Sequence, residues 1–148
     1  MFDQARPIVL LLSRIAVGVI FLVHGYQKFA TMGIAGTTRF FESAGIPLPG
    51  LAAPAVAVLE VAGGLALVLG AALPIVGTLL ALDMFGAIAF VHGANGLTGE
   101  GGYELVLALA AASLAVGFTG GGALSLDGFL ARRRAAAAAA AATQPASA

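Results

Sequence analysis

The chain has 148 residues, 60% hydrophobic and 9% charged, with a mean hydropathy of +1.03 and a formal net charge of zero. A soluble domain carries about a quarter charged residues, so this chain is too apolar to cover itself with a polar surface and reads as a membrane protein. Zero net charge argues against nucleic acid, or an acidic partner, held by bulk electrostatics. The absence of cysteine excludes structural disulfides, thiol catalysis, cysteine-ligated clusters and the membrane enzymes that shuttle disulfides to quinones.

In chain order, the first apolar run extends from about Ile8 to Ala30. It is too long for a signal-peptide core, and "HGYQKFA" lacks a small-residue cleavage site. It reads as a retained transmembrane helix. In the loop that follows, "GTTRFFESAG" predicts a short helix capped by Thr37 or Thr38, with Phe40 and Phe41 opposite Arg39 and Glu42, either lying on the membrane surface or packed as a loop helix over the bundle. The second run, Leu51 to Gly70, begins after the helix-breaking "GIPLPG". The third, Pro74 to about Ala94, follows almost at once. One helix over both runs would be about 65 Å long, twice the hydrocarbon thickness. The chain must therefore turn at "LGAALP". The fourth run, Tyr103 to about Phe118, follows "GANGLTGEGG" and ends at "TGGGALSLDG".

The expected fold is therefore all-α: one integral membrane four-helix bundle over residues 1–130, with spans of about 8–30, 51–70, 74–94 and 103–118. Arg6 and the run Arg132, Arg133 and Arg134 place both termini in the cytoplasm by the positive-inside rule, against the competing Lys28 and Arg39. Residues 131–148, basic and alanine-rich, are expected to be a disordered cytoplasmic tail. "EVAGGLALVLG" and a ridge of Ala108, Ala111, Ala112 and Ala115 are expected to let helices approach closely. "GEGGYE" has neither the preceding strand nor the lysine of a phosphate-binding loop.

Ionisable groups at membrane depth need a partner or a purpose. The candidates are Arg14, His24, Lys28, Glu60, Asp83, His92 and Glu104. Arg14, His24 and Lys28 fall within an arc of roughly 80° on an ideal helix. At 1.5 Å per residue, Glu60 and Asp83 each lie about 13 Å from one end of their spans. These depths predict a buried Arg14–Glu60–Asp83 cluster, either self-neutralising and structural or a proton-handling or ligand site. His24, Lys28, His92 and Glu104 collect near the outer end, where such residues also sit as ordinary interfacial anchors. A sharper alternative makes His24 and His92 an axial haem pair. Asp83 and His92 are nine residues apart and face opposite sides of an ideal helix, so the third helix must bend near Gly86 or the two serve different neighbours. The echo "FLVHG" and "AFVHG" hints at a parallel repeat of two-helix units.

The stretches "RIAVGVIFLVHGYQKF", "GIPLPGLAAPAVAVLEVAGGLALVLG" and "GGYELVLALAAASLAVGFTGGGALSLDG" together resemble the DoxX family of small four-span membrane proteins, over about Arg14 to Asp127. The resemblance implies a multi-pass protein of a bacterial or archaeal cell membrane. Some members are small subunits of a thiosulfate:quinone oxidoreductase, and others are linked to redox stress or quinone-like compounds. It marks Arg14, His24, Lys28, Glu60 and Glu104 as positions of interest, with Asp127 as a terminal marker.

Three functions remain open on these grounds. The first is a quinone-linked redox protein, a subunit or partner of a larger enzyme. In it Arg14, His24 and Lys28 would donate hydrogen bonds to a quinone entering from the bilayer, while Glu60 and Asp83 exchange protons. The second is a non-catalytic assembly or membrane-integrity protein. The third is a small-solute or proton transporter.

Overall fold

The computed structural model describes residues 2–142. It is helical throughout its regular elements, with no strand among the described residues. Helix α1 (Phe2–Tyr26) continues through a π-helical turn, Gln27–Thr31, into a short helix α2 (Gly33–Ser43). Helix α3 (Pro49–Leu69) returns, and α4 (Leu73–Ala87) runs out again. A second π-helical turn, Ile88–His92, and a 3₁₀ turn, Gly93–Asn95, end that crossing. Helix α5 (Glu104–Thr119) returns once more, and α6 (Leu126–Ala142) follows. Loops 32–48 and 96–103 thus share one end of the bundle, here the loop end. The α3–α4 turn, residues 120–125 and α6 share the other, the terminal end.

Three segments among the described residues are long and apolar enough to cross a membrane: Ala5–Thr31, Pro49–Leu69 and Leu73–Asn95. Helix α5 is apolar but has 16 residues, about 24 Å of rise against a hydrocarbon core of about 30 Å. Ile8, Leu12, Val58, Leu82 and Leu105 are each more than half exposed on the bundle's outside. Such an apolar outer surface suits contact with lipid and not water.

Small residues set the packing. A side chain at Gly18 would strike the Gly64 carbonyl, and one at Gly25 would strike Val61 and the Cβ of Glu60. These glycines seat α1 on α3 with Gly25 level with Glu60. Gly77 and Gly117 bring α4 against α5 in the same way, beside the Ser113 carbonyl. The α5 ridge expected from the sequence is displaced. Ala110, Ser113, Val116 and Gly117 are buried, while Ala108, Ala111 and Ala115 are exposed. Small residues lie on several faces of α5, so spacing alone does not select the contact face.

Two further expectations change. Thr37 does not cap the short loop helix. It lies inside α2, fully buried, with its hydroxyl donating to Gly33 O (3.0 Å) and Lys28 O (3.3 Å). Helix α2 starts at Gly33, whose φ of +68° turns the chain. The tail expected to be disordered over residues 131–148 is helical through Ala142, consistent with alanine's high helix propensity; residues 143–148 lie outside the described residues.

Candidate functional site

Six of the seven candidate ionisable residues line one cavity of about 660 Å³ at the loop end: His24, Lys28, Glu60, Asp83, His92 and Glu104. Its walls are otherwise largely apolar, with Phe21, Phe40, Phe41, Met84, Phe90 and Leu109 among them. Helix α2 contributes Phe40 and Phe41, whose ring centroids lie 6.1 Å apart. Of the two placements the sequence leaves open for this helix, packing over the bundle is the one found, and it makes the two phenylalanines cavity walls.

The polar centre of the cavity is an ion pair. Lys28 Nζ donates to Glu60 Oε2 at 2.6 Å, with the side chains 18% and 4% exposed. Gly25 makes this pair attainable, because its missing side chain lets α3 close on α1 beside Glu60. Lys28 lies three residues further on, so it reaches back along the same face. Asp83 interacts electrostatically with both members of the pair, and His24 with Glu60. Asp83 Oδ2 is buried and meets no hydrogen-bond partner among the described residues.

His92 reaches the same cavity as Asp83 although an unbroken α-helix would turn the two apart. The π-helical turn Ile88–His92 is the cause. One extra residue in a turn sets the helical register back by about 100°. The bend expected near Gly86 is therefore a change of helix type two residues later. His92 Nδ1 lies 2.8 Å from Gly101 O, which also accepts from Asn95 Nδ2 at 3.0 Å. These bonds tie the end of α4 to the loop before α5. Glu104 opens α5, where a carboxylate also complements the helix dipole.

Arg14 is not part of the cavity. The expected Arg14–Glu60–Asp83 cluster is replaced by Lys28–Glu60–Asp83. Glu60 packs level with Gly25, and Gly25 stands about 16 Å of helix rise from Arg14. Arg14 is fully buried at the terminal end instead, with Nη2 donating to Leu124 O at 2.6 Å. Its Nε and Nη1 find no partner among the described residues, and Asp127 is the carboxylate that acts on it electrostatically.

Gly70 adjoins the Arg14 guanidinium so closely that any side chain there would overlap Nη1. Gly70 also has φ +72° and closes α3 with the bonds Gly70 N–H to Leu67 O and Ala71 N–H to Ala66 O. The next turn is held from the far end of the chain. Asp127 accepts from Ala72 N (3.0 Å) and Leu73 N (3.2 Å), while its own N–H donates to Gly70 O (3.0 Å). Ala72, at φ +48°, sits in a conformation that costs a non-glycine residue about 1–2 kcal/mol, and the Asp127 carboxylate fixes it there. The terminal marker of the sequence is a cap for another helix.

Known proteins extend this description. The family model described as DoxX matches residues 9–93, more than half of the chain. The chain is 36% identical to the Escherichia coli (strain K12) protein named "Inner membrane protein YphA", over 85% of this chain and 93% of that one. It is 40% identical to the Bacillus subtilis (strain 168) protein named "Putative oxidoreductase CatD", over 81% of this chain and 85% of that one. A second E. coli (strain K12) protein, "Inner membrane protein YqjF", is 33% identical over 83% of this chain and 92% of its own length. No solved structure matches. The matched family and the apolar helical bundle agree: this is a multi-pass inner-membrane protein, and it belongs to the DoxX family.

Proposed function

We propose that the loop-end cavity binds a quinone-type ring and that the protein serves as a quinone-linked redox subunit or accessory protein in the membrane. The observation that carries this reading is the cavity itself. Its volume of about 660 Å³ falls in the range of small-molecule sites, and apolar walls with a few convergent polar groups are their usual lining. A quinone is apolar, partitions into the bilayer and carries oxygens at its ring edge. The phenylalanines would hold the ring. The Lys28–Glu60 pair, Asp83 and the two histidines would meet the oxygens and exchange protons with them. When bound, the quinone supplies the two-electron chemistry. A relative at 40% identity is named "Putative oxidoreductase CatD", which supports this reading.

The orientation follows the positive-inside rule. Lys28 points into the bundle and is neutralised by Glu60, so Arg39 alone competes with Arg6 and Arg132 to Arg134. Both termini are then cytoplasmic, and the cavity sits toward the outer face.

Titration of purified protein with a quinone analogue tests the proposal. Saturable thermal stabilisation is expected. An unchanged melting temperature at saturating ligand would contradict it. A second reading is favoured by one observation: Lys28 and Glu60 satisfy each other, as they would in a purely structural assembly protein. In that case Lys28→Glu combined with Glu60→Lys keeps function, whereas a ligand site loses it. The haem alternative for His24 and His92 predicts a Soret band in protein purified from a haem-replete host.

A further inference from the structure

The donors and acceptors left over in the cavity are unequal in number. Lys28 carries three N–H donors, one of which is engaged by Glu60 Oε2. Gly101 O can only accept, so His92 Nδ1, 2.8 Å away, holds the ring proton and donates it. In a neutral imidazole the other nitrogen, Nε2, is then a bare acceptor. Asp83 Oδ2 receives no donor from the described residues. Asp83 and Glu104 both line the cavity, and carboxylate oxygens only accept. Glu60 gives one oxygen to Lys28, and its other oxygen adds a further acceptor. The donors that remain are two N–H groups of Lys28 and the His24 ring, fewer than the acceptors.

An occupant that satisfies the buried Asp83 Oδ2 must bring a donor to it. A quinone presents two carbonyl oxygens, both acceptors. Its two-electron, two-proton reduced form presents two hydroxyl groups at the same ring positions. An acceptor placed against the buried Asp83 Oδ2 leaves that atom unsatisfied, which is the costly case. We infer that the cavity selects the hydroquinone form of its ligand over the quinone form, with Asp83 and His92 Nε2 receiving the ring hydroxyls. The inference rests on the reading of the cavity as a quinone-type site and adds its preferred oxidation state.

The test is a binding titration of the purified full-length protein in detergent. The probes are decylubiquinone and its chemically reduced quinol, both handled anaerobically. The quinol is expected to bind roughly tenfold tighter or more, the discrimination that one mismatched buried hydrogen-bonding group gives. Asp83→Asn keeps the shape and replaces an acceptor with an amide donor, so it should shrink the preference several-fold. His92→Phe should do the same at a second position, and it keeps the test decisive should the Asp83 variant fail to fold. Equal affinities, or tighter quinone binding, would overturn the inference and leave the quinone-type site standing. A preference that stays at the wild-type value in His92→Phe and in every folded Asp83 variant would also overturn it. Failure of both forms to bind would remove the site reading and this inference together.

Discussion

Arg14 and Lys28 are two cations on the same face of one transmembrane segment, yet their surroundings differ in kind. Arg14 is sealed among backbone groups at the terminal end, against Gly70 and Leu124 O, with no exposed surface. Lys28 is bound to one carboxylate and borders a cavity lined by two more, Asp83 and Glu104. A buried charge that meets only backbone atoms and a helix cap ties chain segments together. A buried charge beside a cavity, among carboxylates with spare acceptor capacity, can also meet a ligand. The lesson is that an ionisable residue at membrane depth marks a site only when space adjoins it.

Mutations can break this contrast, from the largest effect to the smallest. Lys28→Met leaves Glu60 buried and unpaired, which should cost about 3–5 kcal/mol of stability in an unfolding titration, and ligand binding should vanish. Combining it with Glu60→Leu should return most of the stability but none of the binding. Gly70→Ala should cost roughly 2–4 kcal/mol, because the new methyl meets the Arg14 guanidinium and the left-handed backbone. Protein that still folds should bind ligand as the wild type does. Asp127→Ala removes the cap on Ala72 and Leu73 and should cost about 1–2 kcal/mol by the same measurement. His92→Phe should change stability by less than about 1 kcal/mol, since the bond to Gly101 O is exposed and Asn95 also donates to that carbonyl. Its effect should fall on ligand affinity. Arg14→Glu with Glu60→Arg should rescue nothing, because the two positions lie at different levels of the bundle.

The three long apolar helices were legible because hydrophobic runs and proline–glycine breaks report directly on what lipid permits. The candidate residues were legible too, since charge in an apolar run stands out. The pairing was not. It depends on the axial register between α1 and α3, which Gly18, Gly25 and Gly64 set by contact. Nothing in either helix's own periodicity states that register. The glycine of "FLVHG" was the available signal: a small residue one turn before a lysine admits a neighbouring helix at that level. The π-helical turns were hidden for a related reason, since a one-residue change of register leaves no mark in composition. The role of Asp127 lay beyond local reading because it caps a helix 54 residues earlier.

Photoaffinity labelling with an azidoquinone, mapped by mass spectrometry, tests most directly the claim that the two ends differ in function. Labels should fall on residues 21–28, on Phe40 and Phe41, and on residues 83–92, and an excess of unlabelled quinol should suppress them. Labelling centred on Arg14, Gly70 and Ser125, or spread over the lipid-facing leucines without competition, would contradict the account.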